Sequence, residues 1–467
     1  MSKGGRSFAA PPSRLLALEV LVKSSIRGSF VEPLMHDVQR RYGLADAERR
    51  FLEELVMGVV RRRLTLIHII TNFLDVKWNK VEDYAQAALL VGAYQLLFMR
   101  KVPEYAAIDA TLDALKRKRR HAVNFVNAVL RSVARAVAVR CVSEAELGDD
   151  FDPRRCVLLP DGVTLLKQPR MPDPTQDFVK FASVCYSVPE EFVRTLEEQF
   201  GRRRAEEVLL VSVTPPPVCV RTNRLKIHRN ALRKSFLESA IDVKTGKHPA
   251  ALYIRFHGDL STLQQHKKGW FYVQDESAMW VVDALGLTAG IRVLDACAAP
   301  GGKATAIAEW TRNQALVVAM DDDIRRHRKT LENVKRLGAD VLVVCGDARR
   351  AADTFSCQFD RVLLDAPCSN TGVLRRRAEA RYRATKENID KLVHLQRQLL
   401  EGVAPLVAPG GILLYATCSI LKQENDENVE WFLGKHNEFY LRRRRFALPQ
   451  LRGPDGFFYA QLVRKRK

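Results

Sequence analysis

The stretch VLDACAAPGGKA, residues 293–304, decides the reading of this chain of 467 residues. An apolar run ends on an acid, Asp295, small residues carry the chain round a turn, and Gly301-Gly302 lead into a helical segment. A buried strand that ends on an acid and turns through small residues into a helix is the opening unit of a doubly wound α/β sheet. Small residues let a ligand approach the backbone, and the helix start offers free N–H groups to an anion. The loop is neither a GxGxxG dinucleotide fingerprint nor a GxxxxGK[ST] phosphate loop.

Downstream, the same alternation continues from Gly290. IRVLDA, ALVVAMD, VLVVCGD, RVLLDAP and GILLYATC read as buried strands, and segments such as DIRRHRKTLENVKRLG read as the helices between them. Asp321 stands at the end of the second strand, roughly 20 residues past the glycine turn, where an acid commonly holds ribose hydroxyls. Asp347 ends the third and is placed to meet the exocyclic amine of an adenine. Strand-end acids in this order beside a glycine loop describe an adenosine-sized pocket at the carboxyl edge of the sheet.

Two further strand ends carry thiols. LLDAPCSNTG, residues 363–372, delivers Asp365 and then Cys368; LLYATCSI delivers Cys418. Cysteine is among the most buried residue types, so isolated strand-end thiols such as Cys345 and Cys357 are expected to be buried and structural. Two thiols in matching phrases, one beside an acid, point to chemistry.

Upstream the pattern differs. Residues 1–140 read as an all-α bundle: RLLALEVLVKSS, ERRFLEELVMGVVRR, YAQAALLVGAYQLLFM and VNFVNAVLRSVARAV carry apolar residues at three- and four-residue spacing. Breaks at Arg27-Gly28, Gly43 and Pro103 separate them. Residues 141–176 are rich in Pro and Asp and read as a linker or insertion. Residues 177–288 read as a small mixed α/β segment, with a helix closed by Gly201 and strands at PPPVCVRTNRLK and KGWFYVQDESA. Residues 289–467 form the α/β domain. In GWFYVQD, core packing of Trp270 to Tyr272 is preferred over base stacking.

Lys and Arg number 75 against 54 Asp and Glu, a net charge of +21. Such a surplus favours a polyanionic partner, gathered here at Arg61 to Arg63, Lys116 to Arg120, Arg375 to Arg377, Arg442 to Arg445 and Arg464 to Lys467. No apolar run approaches the roughly 20 residues of a membrane span, and the N-terminal residues lack the apolar core of a signal peptide. The 9 cysteines include no CxxC pair, so neither a zinc site nor a disulfide framework is indicated. A cytoplasmic setting and no metal are expected.

DACAAPGGK, LLDAPCSNTG, YATCSI followed by QEN, and DGFFYA at 455–460 resemble the motif series of RNA cytosine-C5 methyltransferases. FVNAVLR at 125–131 resembles the NusB-like domain of the RsmB (Sun) branch, which methylates cytosine in 16S ribosomal RNA with S-adenosylmethionine. The resemblance implies a Rossmann-like S-adenosylmethionine-dependent methyltransferase domain preceded by an all-α NusB-like RNA-binding domain. It implies that Cys418 is the nucleophile that adds to cytosine C6, that Asp365 grips the base edge, and that Cys368 assists resolution of the covalent adduct. Lys303 is implied to orient the cytosine or favour the thiolate. Cofactor contacts carry over to Cys297, Ala298, Ala299, Pro300, Gly301, Gly302 and Lys303, with Asp321, Asp347 and Asp365. Ala304 departs from the Thr usual after GGK, and Asp321-Asp322-Asp323 leaves the ribose acid ambiguous. The implied partner is small-subunit ribosomal RNA, with no DNA and no membrane, and the protein is expected to be a monomer. A transfer RNA cytosine-C5 methyltransferase and a non-catalytic RNA-binding assembly factor are the alternatives.

Overall fold

The computed structural model describes residues 12–27, 31–143, 146, 151–256 and 258–466, so the basic start of the chain, the expected break at Gly28 and the final Lys467 lie outside the described residues. The chain forms two compact units that divide between Thr214 and Pro215.

The first unit opens as the expected helices. Asp83–Phe98 is buried on nearly every face from Ala85 to Leu97, as its sequence requires: YAQAALLVGAYQLLF has no polar stripe, and a helix apolar all round belongs in a core. The amphipathic helices Ser13–Arg27, Asp46–Arg61, Glu104–Lys116 and Val123–Ala136 pack around it. The run from Lys116 to Arg120 is a largely exposed helix end, with Lys118 and Arg119 paired to Glu19 and Glu82.

The expected linker is structured. Val137–Val142, Cys156–Leu159 and Gly162–Leu166 form a three-stranded antiparallel sheet in this segment, of which 144–145 and 147–150 lie outside the described residues. The reading missed it because the apolar alternation is confined to two strands of 4 and 5 residues among many prolines and aspartates. Thr164 Oγ1 donates to the Leu97 carbonyl at 2.7 Å, tying the sheet to the central helix. The helices Phe178–Tyr186, Glu190–Phe200 and Arg202–Val213 also belong to the first unit rather than to the mixed segment. Local bonds hold them there: Leu64 N–H donates to Ser187 Oγ at 2.9 Å, and Thr65 Oγ1 donates to the Val184 carbonyl at 2.6 Å. Gly201 closes its helix as expected, at φ 76°.

The second unit begins with a four-stranded antiparallel sheet, in the order Asp242–Thr245, Ala251–Arg255, Val218–Thr222, Phe271–Val273. The α/β part follows. Its strands are β1 (Arg292–Asp295), β2 (Leu316–Asp321), β3 (Leu342–Cys345), β4 (Phe359–Asp365), β5 (Val407–Thr417), β6 (Phe439–Ala447) and β7 (Phe457–Arg464). Its longer helices are α1 (Glu276–Asp283), α2 (Gly302–Trp310), α3 (Ile324–Leu337), α4 (Lys386–Val403) and α5 (Asp426–Lys435). The sheet order is β3-β2-β1-β4-β5-β7-β6. The first five strands are parallel and β7 runs antiparallel to both β5 and β6. Strand order reverses between β1 and β4, and ligand crevices in open α/β sheets open at such a switch point. Leu294, Val362, Leu364, Leu413 and Tyr415 are buried on one face, and Val293, Leu363 and Leu414 on the other, which is why these strands read as continuous apolar runs. Among the described residues no helix is long and apolar enough to cross a membrane.

Candidate active site

The site is built at the carboxyl edge of the parallel strands. β4 ends on Asp365 and β5 on Thr417, and Asp365 stands opposite Ala416 in the ladder. The two PCS and TCS phrases therefore leave the sheet side by side. Ala366 N–H donates to the Ala416 carbonyl at 2.9 Å, and Gly372 N–H donates to the Cys418 carbonyl at 2.9 Å. Gly372 must be glycine here, because a Cβ would lie 2.7 Å from the Cys418 carbonyl oxygen and 2.8 Å from that of Gly456. The outcome is that the Cys368 and Cys418 Sγ atoms stand 3.2 Å apart. Cys418 also donates to Asn370 Oδ1 at 3.3 Å, and Asn370 takes a left-handed φ of 59°.

Behind the thiols sits a carboxylate that sequence reading passed over. Glu424, fully buried, accepts from Ser369 N–H at 2.8 Å, from Ser369 Oγ at 2.5 Å, from Gln396 Nε2 at 2.9 Å and from Ser419 Oγ. One side chain thereby clasps the residues that follow both cysteines. Asn425 continues the clasp, accepting from Thr417 Oγ1 at 2.5 Å and donating to the Ser419 carbonyl at 2.9 Å. The QEN phrase was the available signal. The Cys418 hydrogen bond, burial and the Glu424 charge together hold Cys368 protonated, well above the usual thiol range.

In front of the thiols Lys303 is ion-paired with Asp365. Burial works against the lysine's charge, but the Asp365 carboxylate outweighs it and holds Lys303 above its ordinary pKa; Cys418 adds to that attraction. Lys303 thus remains a cation beside the two thiols, where it can favour a thiolate or a developing negative charge.

The glycine loop folds as a cradle. Gly301 precedes α2 at φ 88°, a left-handed conformation suited to glycine. Asp321 Oδ2 accepts from Ala299 N–H at 2.9 Å, so this acid holds the loop, and Arg326 lies against its other oxygen at 3.5 Å. Asp295 is buried beneath the loop; its oxygens lack a hydrogen-bond partner of normal geometry, the Ala304 N–H exerting only a weak pull. Burial, with the neighbouring Asp365 and Asp321 charges, pushes Asp295 up to about 7 despite Lys303. A cleft of about 210 Å³ opens over these groups, lined by Tyr272, Gln274, Asp295, Cys297, Lys303 and Asp365 among others. Asp347 lies at its strand end as expected but caps the following turn, its carboxylate bound by the Arg349 guanidinium at 2.6 Å.

Tyr272 and Gln274 were not foreseen as lining residues. They come from the antiparallel sheet, which buried Arg221 bolts to α2: its guanidinium donates to Glu309 at 2.7 Å, to the Gly302 carbonyl at 2.6 Å and to Thr305 Oγ1 at 3.0 Å. Two expectations are corrected. Cys345 and Cys357 are exposed rather than buried, because each sits at a sheet or turn edge that nothing covers. Arg375 and Arg376 are not a phosphate-following stripe. Arg375 is fully buried on Asp455 at 2.6 Å, and Arg376 reaches both Asp455 and, at 2.8 Å, Asp275, so the DGFFYA acid is a structural anchor.

Comparison with known proteins finds the chain similar to ribosomal RNA methyltransferases. Residues 282–463 match the family model for 16S rRNA methyltransferase RsmB/F, residues 11–135 that for the NusB family, and residues 188–260 that for an RsmF/B-like ferredoxin-like domain. Ribosomal RNA small subunit methyltransferase B of Pasteurella multocida (strain Pm70) is 32% identical over 468 residues, covering 96% of this chain and 95% of that protein. The protein of the same name from Cronobacter sakazakii (strain ATCC BAA-894) is 32% identical over 460 residues, covering 96% of both. A crystal structure of a methyltransferase homolog protein from Pyrococcus horikoshii superimposes with a TM-score of 0.54 at 26% identity, over 62% of this chain and 99% of that one.

Proposed function

The chain belongs to the RsmB/F family of 16S ribosomal RNA methyltransferases, and from that premise we propose that it transfers a methyl group from S-adenosylmethionine to C5 of a cytosine in small-subunit ribosomal RNA. The observation that carries the finer reading is the pair of thiols 3.2 Å apart beside the Lys303–Asp365 ion pair. C5 of cytosine is a poor nucleophile until a group adds at C6. The Cys418 thiolate adds there, forming the S–C6 bond and turning C5 into an enamine carbon.

The Asp365 carboxylate grips the base edge by accepting from the exocyclic amine, and the Lys303 cation steadies the negative charge that addition creates. Cys368 orients the attacking thiolate by donating its S–H to it, whereas Asn370 Oδ1 accepts from Cys418 only while that group is still a thiol. After methylation the C5 proton leaves to a base and the S–C6 bond breaks as the double bond re-forms. Cys368, held as a thiol, stands where it can protonate the departing Cys418 sulfur.

The residues fit the cofactor. Asp295 offers a buried carboxylate short of partners, and the loop is small enough that a Cβ on Gly302 would come within 2.9 Å of Tyr272. Cys297 to Lys303, with Asp321, Asp347 and Asp365, would hold S-adenosylmethionine, which when bound supplies an electrophilic methyl on its sulfonium.

The target base must leave its stack to reach Cys418, so an exposed loop is the favoured target. The first unit, which carries the NusB match, is assigned to holding RNA. The test is transfer of labelled methyl from S-adenosylmethionine to unmodified 16S RNA and, in parallel, to transfer RNA, with the product base mapped by bisulfite sequencing. Label in a 16S cytosine at C5 is expected. Label confined to transfer RNA contradicts the substrate assignment, and binding without transfer contradicts the enzyme.

A further inference from the structure

We propose that the outer edge of the seven-stranded sheet, strand β6, is a docking track for the phosphodiester backbone of the RNA flanking the target nucleotide, an inference that rests on the RNA methyltransferase reading above. β6 reads FYLRRRRFA, and all four arginines, Arg442 to Arg445, are exposed. Among the described residues it is the terminal strand of the sheet, hydrogen-bonded to β7 alone.

Topology aims this edge at the active site. β7 is antiparallel to β5 and to β6, so β6 runs parallel to β5 and finishes on the same side of the sheet. The register makes this concrete: Thr417 pairs with Phe458, and Phe458 pairs with Phe446. At about 4.8 Å per strand, the Phe446 backbone stands roughly 10 Å from Thr417, the residue before Cys418. An RNA strand that delivers a base to Cys418 brings its neighbouring phosphates to that distance.

The side chains suit such a ligand. Arg444 is paired with Asp426 at 2.5 Å, and Arg445 lies over the Trp280 and Phe457 rings. Arg442 and Arg443 are exposed and have no acidic partner among the described residues. Two neighbouring exposed cations that no acid neutralises suit a phosphate. The ladder slips between Leu441 and Arg443, leaving Arg442 out of register, and bulges of this kind re-aim a side chain. Tyr440, 46% exposed, flanks the arginines and offers a face for an unpaired base.

The test uses the full chain and an in vitro transcript of 16S RNA, with binding measured over a range of salt. R442E/R443E is expected to weaken binding at least tenfold and to reduce the salt slope by about 2, one unit per lost phosphate contact. The comparison variant R328E/K329E makes the same charge change on α3, beside the opposite edge of the sheet, and is expected to keep the slope. R442Q/R443Q, which removes charge without reversing it, is read alongside, and melting temperature and cofactor affinity verify each fold. An unchanged slope in R442E/R443E overturns the proposal, and so does an equal loss in both charge-reversed variants, since net charge alone would then explain it. Methyl transfer by the unaltered protein is followed in the same preparation: its absence sinks the enzymatic reading, whereas transfer with unaltered RNA affinity in the variant sinks only the β6 track.

Discussion

Cys368 and Cys418, 50 positions apart in the chain, meet with their Sγ atoms 3.2 Å apart. Neither cysteine is on a strand. Each follows a strand end, and the parallel pairing of β4 with β5 is what converts two similar phrases into one site. Their separation is fixed largely from behind, by backbone contacts, the buried Glu424 carboxylate and the Asn425 side chain.

Glu424→Ala removes the acceptor for four donors at once: Ser369 N–H, both Ser369 and Ser419 hydroxyls, and the Gln396 amide. Buried donors left unsatisfied cost about 1–3 kcal/mol each in isolation, and relaxation shares the loss, so about 2–4 kcal/mol of destabilisation is expected. Glu424→Gln retains one carbonyl oxygen and should lose less. Urea midpoints for the two variants check the order.

Gly372→Ala places a methyl against backbone on two sides, the Cys418 and Gly456 carbonyls, neither of which is the far end of a flexible side chain. A loss of about 1–3 kcal/mol is expected, with methyl transfer falling further because the Cys418 loop is what moves. Gly434→Ala in α5 meets nothing within 4 Å and should be neutral or gain up to about 1 kcal/mol from helix propensity. Thermal melts of both, run together, separate close approach from a general glycine effect.

Asp295→Asn tests the buried acid. In the folded protein Asp295 titrates at about 7, above its unfolded value of 3.8. The folded state therefore binds the extra proton between those values, and stability from this group is present below about pH 4 and lost as pH rises through 7. The asparagine variant lacks that loss. Its stability relative to the parent should grow from about pH 4 to pH 7 and level off above, by up to about 4 kcal/mol, as three units at about 1.4 kcal/mol each imply. Denaturant midpoints at several pH values give the curve, and a gap that does not change with pH would show that the carboxyl is not protonated by burial.

Lys303→Met removes the cation beside Asp365 and Cys418. Alkylation of Cys418 by iodoacetamide at neutral pH should slow by roughly three- to tenfold, corresponding to about 1 kcal/mol of lost attraction for the thiolate. Peptide mass spectrometry reads each thiol separately, and the exposed Cys345 and Cys357 serve as references whose rates should not move.

The α/β sheet and the strand-end positions of the candidate site residues were legible because they follow from strict local patterns. Each parallel strand is an apolar run ended by the acid or thiol it presents, so Asp295, Asp321, Asp347, Asp365 and Cys418 could be placed at strand ends from spacing alone. What pairs across the fold could not be read. Arg375 looks like any surface arginine until Asp455, 80 positions on, is found buried against it. Arg221 meets Glu309 across 88 positions, and Tyr272 reaches the cleft only because that contact docks its sheet. The strands at 156–166 were missed for another reason, since so few residues carry too little periodicity to outweigh the prolines around them.

The central claim is that the two adjacent thiols act on opposite sides of methyl transfer, and trapping the covalent RNA complex tests it most directly. Purified protein, Cys418→Ala and Cys368→Ala are each incubated with unmodified 16S RNA and S-adenosylmethionine, then run on a denaturing gel. If Cys418 forms the bond to C6, Cys418→Ala gives no RNA complex and no methylated cytosine, while Cys368→Ala methylates, stalls and accumulates a slow-migrating, denaturant-resistant band joined through Cys418. A stable complex with Cys418→Ala and none with Cys368→Ala would contradict the account and reverse the two roles.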